Sequence, residues 1–319
     1  MISAISIKGR LKKCILTILM IFLWNGTISQ AQETNPIVFT DDLGREISVK
    51  DPKRVAALIG SYADIWYQAG GAVCASVEDA WEDFEFTMPE EAVNLGMTKE
   101  PSLEKLFESQ PDFILASSKT KADVEMMETL DAAGIPTAYF EIFTFQDYLH
   151  MLQICTQITG REDLYEEHGL KVQEQIKDVL EQSQQRLEQN GAPKVLVLVA
   201  SASSIRAKNS ETGVLGTMLH DLGCINIADS EGTSLENLNI EYILKEDPDY
   251  IFTVQAGDDE EGMKKALEEL MGEGTAWSAL RAVQEGKVYC MEKRLFNLKP
   301  NARWGEAYEK LERILSDEE

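Results

Sequence analysis

The sequence predicts an α/β protein of two lobes, each built on a mostly parallel sheet, joined by a single long interlobe α-helix. Three observations predict it. One pattern occurs twice at an offset of 137 residues: Ser102-Leu103-Glu104-Lys105-Leu106 leading to Pro111-Asp112-Phe113-Ile114, and Asn239-Ile240-Glu241-Tyr242-Ile243 leading to Pro248-Asp249-Tyr250-Ile251. On either side, short β-branched and aromatic runs alternate with helical stretches, the signature of parallel sheets covered by helices. Between the lobes, 159–190 carries apolar residues at helical spacing with no strand signal.

From the N-terminus, Lys8, Arg10, Lys12 and Lys13 precede an apolar run from Ile15 to Trp24 and small residues at Ser29 and Ala31. This is the layout of a secretory signal peptide over 1–31, cleaved after Ala31. The apolar run is shorter than the roughly 20 residues a membrane-spanning helix needs, although a retained segment is the alternative. Leu11-Lys12-Lys13-Cys14 lacks the small residues of a lipoprotein signal. The expected location is the periplasm or the outer face of the cell membrane.

The N-terminal lobe is expected over 32–158. A hairpin pairs Ile37 to Thr40 with Glu46 to Val49 around Asp42-Leu43-Gly44. Buried strands follow at Arg54 to Leu58, Val73 to Val77, Phe113 to Ala116 and Thr137 to Phe140, separated by helices such as Ala63 to Ala69 and Ala122 to Ala133. In both copies of the repeat a polar N-cap, Ser102 or Asn239, opens a short helix that Pro-Asp stops before a strand. The interlobe helix is read over 159–190, with Thr159 and Glu162 forming a capping box and Leu164, Val172, Ile176, Val179, Leu180, Ser183 and Leu187 on one face. Two helices broken near Gly169 are the alternative. The C-terminal lobe, 191–319, has strands at Val195 to Val199, Cys224 to Ile227, Ile251 to Val254 and Lys287 to Met291.

The formal charge is −25, and removing the first 31 residues, with four basic and no acidic side chains, takes it to −29. Such a field repels phosphate backbones and anionic bilayers, which argues against nucleic-acid partners. Cys74, Cys155, Cys224 and Cys290 form no Cys-x-x-Cys pair, and their pairing is open. Cys224 and Cys290 lie in apolar, strand-like surroundings that favour buried thiols.

Val38-Phe39-Thr40-Asp41-Asp42-Leu43-Gly44-Arg45, then Pro52-Lys53-Arg54-Val55-Ala56, then Glu100-Pro101-Ser102-Leu103-Glu104 resemble the start of the substrate-binding proteins of ABC importers for ferric siderophores, haem and cobalamin. Gly216-Thr217-Met218-Leu219, Trp277-Ser278-Ala279-Leu280 and Gly286-Lys287-Val288-Tyr289 resemble the second lobe of that family. The resemblance implies a monomeric, non-catalytic receptor without a cofactor, which binds an iron complex or a corrinoid between its lobes and delivers it to a permease dimer with its ATPase. It also implies one permease-docking glutamate per lobe, at Glu104 and Glu241 by motif position. A carboxylate in a helix's first turn also complements the helix dipole, so each has a purely structural explanation beside the docking one.

Ligand contacts in such a fold come from loops at the strand ends facing the cleft. The candidates are Tyr62 and Trp66 after the first strand of the sheet, Trp81 and Phe84 after the next, Arg206 after the first strand of the second lobe, and Phe296, Lys299 and Arg303 after its last. Aromatics supply flat walls for a macrocycle or catecholate, and arginine pairs with anionic oxygen. Each is as well explained by packing or exposure. Arg206, Lys208 and Arg303 could together hold an anionic chelate on an acidic protein.

His150, His168 and His220 fall at unrelated helical positions without zinc-site spacing, and no metal site is assigned. Neither a nucleophile elbow nor His-Glu-x-x-His occurs, so an extracellular hydrolase is the weaker alternative. A scavenger or sensor of the same fold without a permease is the other.

Overall fold

The computed structural model describes residues 35–230, 240–257 and 259–317, and the account below concerns the compact unit that begins at Pro36. The signal segment and Asn239 lie outside the described residues.

A hairpin of β1 (Ile37–Thr40) and β2 (Glu46–Val49) opens the chain, with Ile37 opposite Val49. The first lobe is a parallel sheet of β3 (Val55–Ala57), β4 (Val73–Ser76), β5 (Val93–Asn94), β6 (Phe113–Ser117) and β7 (Thr137–Phe140) in the order β5-β4-β3-β6-β7. The second lobe comprises β8 (Lys194–Ser201), β9 (Ser204–Lys208), β10 (Ile225–Asn226), β11 (Tyr250–Gln255) and β12 (Val288–Met291). Its parallel path is β10-β8-β11-β12, and β9 doubles back antiparallel on β8.

Period-2 burial divides each sheet between two cores. In β6, Phe113 and Leu115 face a core shared by both lobes, whereas Ile114 and Ala116 face one confined to the first lobe. In β11, Tyr250, Phe252 and Val254 join the shared core and Ile251 packs in the second lobe's own. The shared core therefore lies where the inner faces of the two sheets meet the interlobe helices.

The duplicated motif folds the same way twice. Helices Leu103–Glu108 and Ile240–Glu246 end at Gln110 (φ 49°) and Asp247 (φ 43°), left-handed residues that turn the chain into Pro-Asp. Asp112 N–H then donates to Arg54 O at 2.8 Å, and Asp249 N–H to Lys194 O at 2.8 Å. Each aspartate carboxylate accepts from the same strand's start, Asp112 from Lys53 and Arg54 N–H, Asp249 from Lys194 N–H. Ser102 caps its helix by accepting from Lys105 N–H at 3.3 Å.

The interlobe helix differs from expectation at its start. Thr159 is the last residue of helix Phe145–Thr159, and its hydroxyl donates to Ala69 O at 2.6 Å, so it cannot form the expected capping box. Gly160 in the left-handed region (φ 69°) ends that helix. A new helical run then spans 162–190, roughly 43 Å at 1.5 Å per residue, interrupted by one π turn over Glu166–Leu170. Gly169 lies in that turn, where a Cβ would come within 2.7 Å of Leu149. The missing side chain lets the strut and the preceding helix approach. Val172, Ile176, Val179 and Ser183 form its buried stripe, as the spacing predicts. Buried Arg186 pairs with Glu312 through Nε–Oε1 at 2.8 Å and Nη2–Oε2 at 3.1 Å, and so ties the strut to the last helix, Trp304–Leu315.

A second tie joins the lobes directly. Asp64 Oδ2 accepts from Asn301 Nδ2 at 2.7 Å, Gln68 Nε2 at 3.0 Å and Arg294 Nη2 at 3.0 Å, while Asn301 also donates to Ser61 O. Lys293 pairs with Asp83 at 3.0 Å beside it. Burial pushes Asp64 above the usual carboxylate range against the pull of Asn301, Arg294 and Gln68, and it pushes Arg294 down. Both directions say that desolvation outweighs attraction even with the partners in place, and removing one partner would leave the other buried without even that compensation.

Cys224 is buried but Cys290 is exposed, because β12 is the edge strand; all four described cysteines are free thiols. No described helix is long and apolar enough to cross a membrane.

Replacing Arg294 with Ala strands the Asp64 carboxylate in the interface, and we expect a loss of about 3–5 kcal/mol in denaturant unfolding. The double variant Asp64→Asn/Arg294→Met should recover part of it. An unchanged midpoint for Arg294→Ala would show that the tie contributes nothing.

Candidate interlobe binding site

The carboxyl end of β7 leads into Glu141, Phe143 and Thr144 and then into helix Phe145–Thr159, whose capping box joins Thr144 and Asp147. Facing them from the second lobe are Asn209, Ser210 and Glu211 after β9, Thr217 and His220 on helix Val214–Asp221, and Asp229 beyond β10. Between the lobes these residues, with Asp42, Gln146 and His150, enclose a cleft of about 790 Å³. A smaller cavity of about 260 Å³ shares Phe143 with it and is lined by Val197, Val199, Lys208, Val254, Phe296 and Lys299 among others. The first is acidic with two histidines, and the second is apolar with two lysines.

Each wall is fixed locally. Asp42 accepts from Glu141 N–H at 2.7 Å, which pins the loop after β7 to the hairpin, and burial raises its pKa. Glu141 pairs with Lys119 at 3.0 Å. Lys119 belongs to a loop organised by Ser117, whose hydroxyl accepts from Lys119 and Thr120 N–H. Ser117 N–H in turn donates to the buried Asp123 carboxylate at 2.8 Å. On the other side, Asp229 accepts from Ser210 N–H and hydroxyl, both at 2.7 Å. Gly216 lies against that turn, where a Cβ would meet Asn209 O at 2.6 Å. Lys299 extends over the Phe143 ring, 5.5 Å from its centre. Burial pushes its ammonium below the usual lysine range, partly opposed by Glu141.

Two of the eight residues expected to contact ligand, Phe296 and Lys299, line the smaller cavity. Tyr62 is 1% exposed and its hydroxyl donates to Phe140 O at 2.9 Å, so it supports the end of β7 from inside the core. Trp66 is core as well, set edge-on to Phe113 with its indole donating to Ala72 O. Both sit on helix Gly60–Gln68, whose inward face packs beneath the sheet. Phe84 is covered by the Arg294 guanidinium at 4.4 Å. Trp81 is exposed and lines neither cavity.

Arg206 lies on β9 rather than in a loop and donates to Ser204 Oγ, because the chain reverses at Ser201–Ser204. Arg303 pairs with Glu306 at 2.7 Å and Glu85 at 3.6 Å, away from both cavities. Of the expected basic trio only Lys208 reaches the site. Glu104 and Glu241 are exposed second residues of their matching helices and enter no ion pair among the described residues. His150 and His220, at unrelated places in the sequence, face one cleft from opposite lobes. Among the described residues no cluster of three or more His, Cys, Asp or Glu is arranged to hold a metal ion. Phe143 and Asn209 to Glu211 were missed; the rule of strand-end loops applied to β7 would have found Phe143.

A family model described as "Periplasmic binding protein" matches residues 55–295. An iron-uptake system-binding protein of Bacillus subtilis is 25% identical over 219 residues, which are 68% of this chain and 64% of that relative's own length. Among solved structures, Staphylococcus aureus SirA complexed with staphyloferrin B superposes with a TM-score of 0.67 at 21% identity, covering 88% of this chain and 98% of that one. The haem complex of S. aureus IsdE gives 0.66 at 16% identity, covering 82% and 98%. The structural likenesses are likenesses of fold.

Two measurements probe the walls. Burial raises Asp123 to about 7, so the native state holds a proton that the unfolded chain releases near pH 4, and stability falls as pH rises from about 4 to 7. Asp123→Asn, which resembles the protonated form, should flatten that fall, by at most about 1.4 kcal/mol per pH unit; an unchanged profile would refute the assignment. Gly216→Ala should cost about 1–3 kcal/mol in denaturant unfolding, because the obstructing atom is backbone, and a neutral result would mean that the Asn209–Ser210 turn gives way.

Proposed function

This chain belongs to the periplasmic binding protein family, and from that premise we propose that it is the substrate-binding component of an ABC importer, exported across the membrane. It captures an iron complex, a ferric siderophore or haem, or else cobalamin, between its lobes and hands it to a permease dimer with its ATPase. It is a binding protein and not an enzyme.

The observation that carries this reading is the interlobe cleft of about 790 Å³ with its adjoining apolar cavity, of a size to take a chelate or macrocycle. Phe143, common to both cavities, offers a flat face against which such a ligand stacks. Lys208 and Lys299 supply cationic groups for carboxylate or catecholate oxygens, and the strut with the Asp64 tie keeps the two walls at a set distance. The matched, exposed Glu104 and Glu241 suit a partner with two equivalent basic sites.

Tryptophan quenching of the processed protein against haem, a ferric trihydroxamate, a ferric tricatecholate and cobalamin, with zinc as control, tests the ligand class. We expect saturable binding of one of them and a loss of about tenfold or more in affinity for Phe143→Ala. Saturable binding of zinc alone would sink the proposal. Charge reversal at both Glu104 and Glu241 should abolish uptake into cells while leaving ligand affinity unchanged.

A further inference from the structure

The duplication that places Glu104 and Glu241 on matching helices extends to a third position. In each helix the residue two places after the glutamate is a buried anchor, Leu106 at 1% and Ile243 at 2% exposure, and the next is a large exposed apolar side chain, Phe107 at 37% and Leu244 at 36%. Residues three apart share a helix face, so each lobe displays a carboxylate and an apolar group side by side. The first position stays apolar, Leu103 matched by Ile240, whereas Lys105 is matched by Tyr242 and Glu108 by Lys245. Among the described exposed large apolar residues, Phe107 and Leu244 are the one pair related by the 137-residue offset. Folding explains the matched anchors. Each apolar group keeps just over a third of its surface in water; one such residue would be ordinary, but the same apolar exposure beside the same glutamate in both copies is what a two-sited interface would use.

Both motifs are held alike: each helix ends in a left-handed residue, and the aspartate after the proline bonds to the start of the lobe's first sheet strand. The two faces are therefore fixed parts of their lobes. An exposed carboxylate paired with a basic group adds little affinity and loses it in salt. An apolar neighbour that expels water from the contact supplies the salt-insensitive remainder. A second copy of this strongly acidic chain is a poor occupant, since like charges would oppose.

We infer that Phe107 and Leu244 are docking residues, and that the partner is a two-fold permease dimer presenting, on each half, a basic side chain beside an apolar recess. This rests on the importer reading above. The test uses an iron-complex ABC permease–ATPase complex from the source organism, purified in lipid nanodiscs, and the processed protein at about 50 and about 500 mM salt.

For Phe107→Ser/Leu244→Ser we expect affinity to fall about tenfold or more at both salt concentrations with the salt dependence kept. For Glu104→Gln/Glu241→Gln we expect the salt dependence to flatten. Phe107→Leu/Leu244→Phe should bind like wild type, and unchanged melting and ligand titration exclude misfolding. If the serine variant binds like wild type while the glutamine variant is weakened, the inference fails and the importer reading stands. If wild type does not bind the complex, both fail.

Discussion

Asp64 is buried at the junction of the two lobes, and its carboxylate is kept there by hydrogen bonds from one lobe and the other at once. A charge in that position is tolerable only with its partners in place. Helix Gly60–Gln68 of the first lobe, and the segment carrying Arg294 and Asn301 of the second, therefore cannot separate without leaving an unpaired ion in a desolvated site. Asn301 adopts a left-handed backbone (φ 57°) to bring its amide to Asp64 and Ser61. The strut and the last helix reinforce the same constraint through the buried Arg186–Glu312 pair.

This tie divides the interlobe surface. On the side of β4 the lobes are joined by the Asp64 cluster and by Lys293–Asp83 and Arg303–Glu85 contacts. On the side of β7 no such bridge crosses among the described residues, and the cleft opens between Phe143 and Asn209–Glu211. Of the aromatic groups that looked suited to a ligand, Tyr62, Trp66 and Phe84 lie on the tied side or in the core, where their area stabilises packing, Trp81 is exposed, and Phe296 lines the smaller cavity. Stiffness on one side and space on the other suit a receptor that holds its ligand with little change in the separation of its ends.

The architecture was legible because it depends on local signals that duplicate. The alternating burial of β6 and β11, the Pro-Asp stops and the amphipathic face of the strut are all properties of short windows. The site was legible only in part. Phe296 and Lys299 follow β12 directly and sit where a strand-end loop must. Arg206 was misplaced because nothing in Ser201–Ser204 distinguishes a loop from a tight reversal into β9, and Tyr62 because an aromatic after a strand serves equally as core.

By itself the sequence determined two repeated α/β halves, their helical connector and the matched pair of glutamates, since each follows from residue order within a few turns of chain. Only the tertiary structure decided which side of the interface is latched and which is open. It also decided that His150 and His220 share a cleft and that Phe143 faces Lys299. Those facts depend on contacts between residues far apart in sequence, such as Asn301 with Ser61, 240 positions away, and no local preference encodes them. They arise when two lobes bury a shared core and must satisfy every polar group that is buried with it.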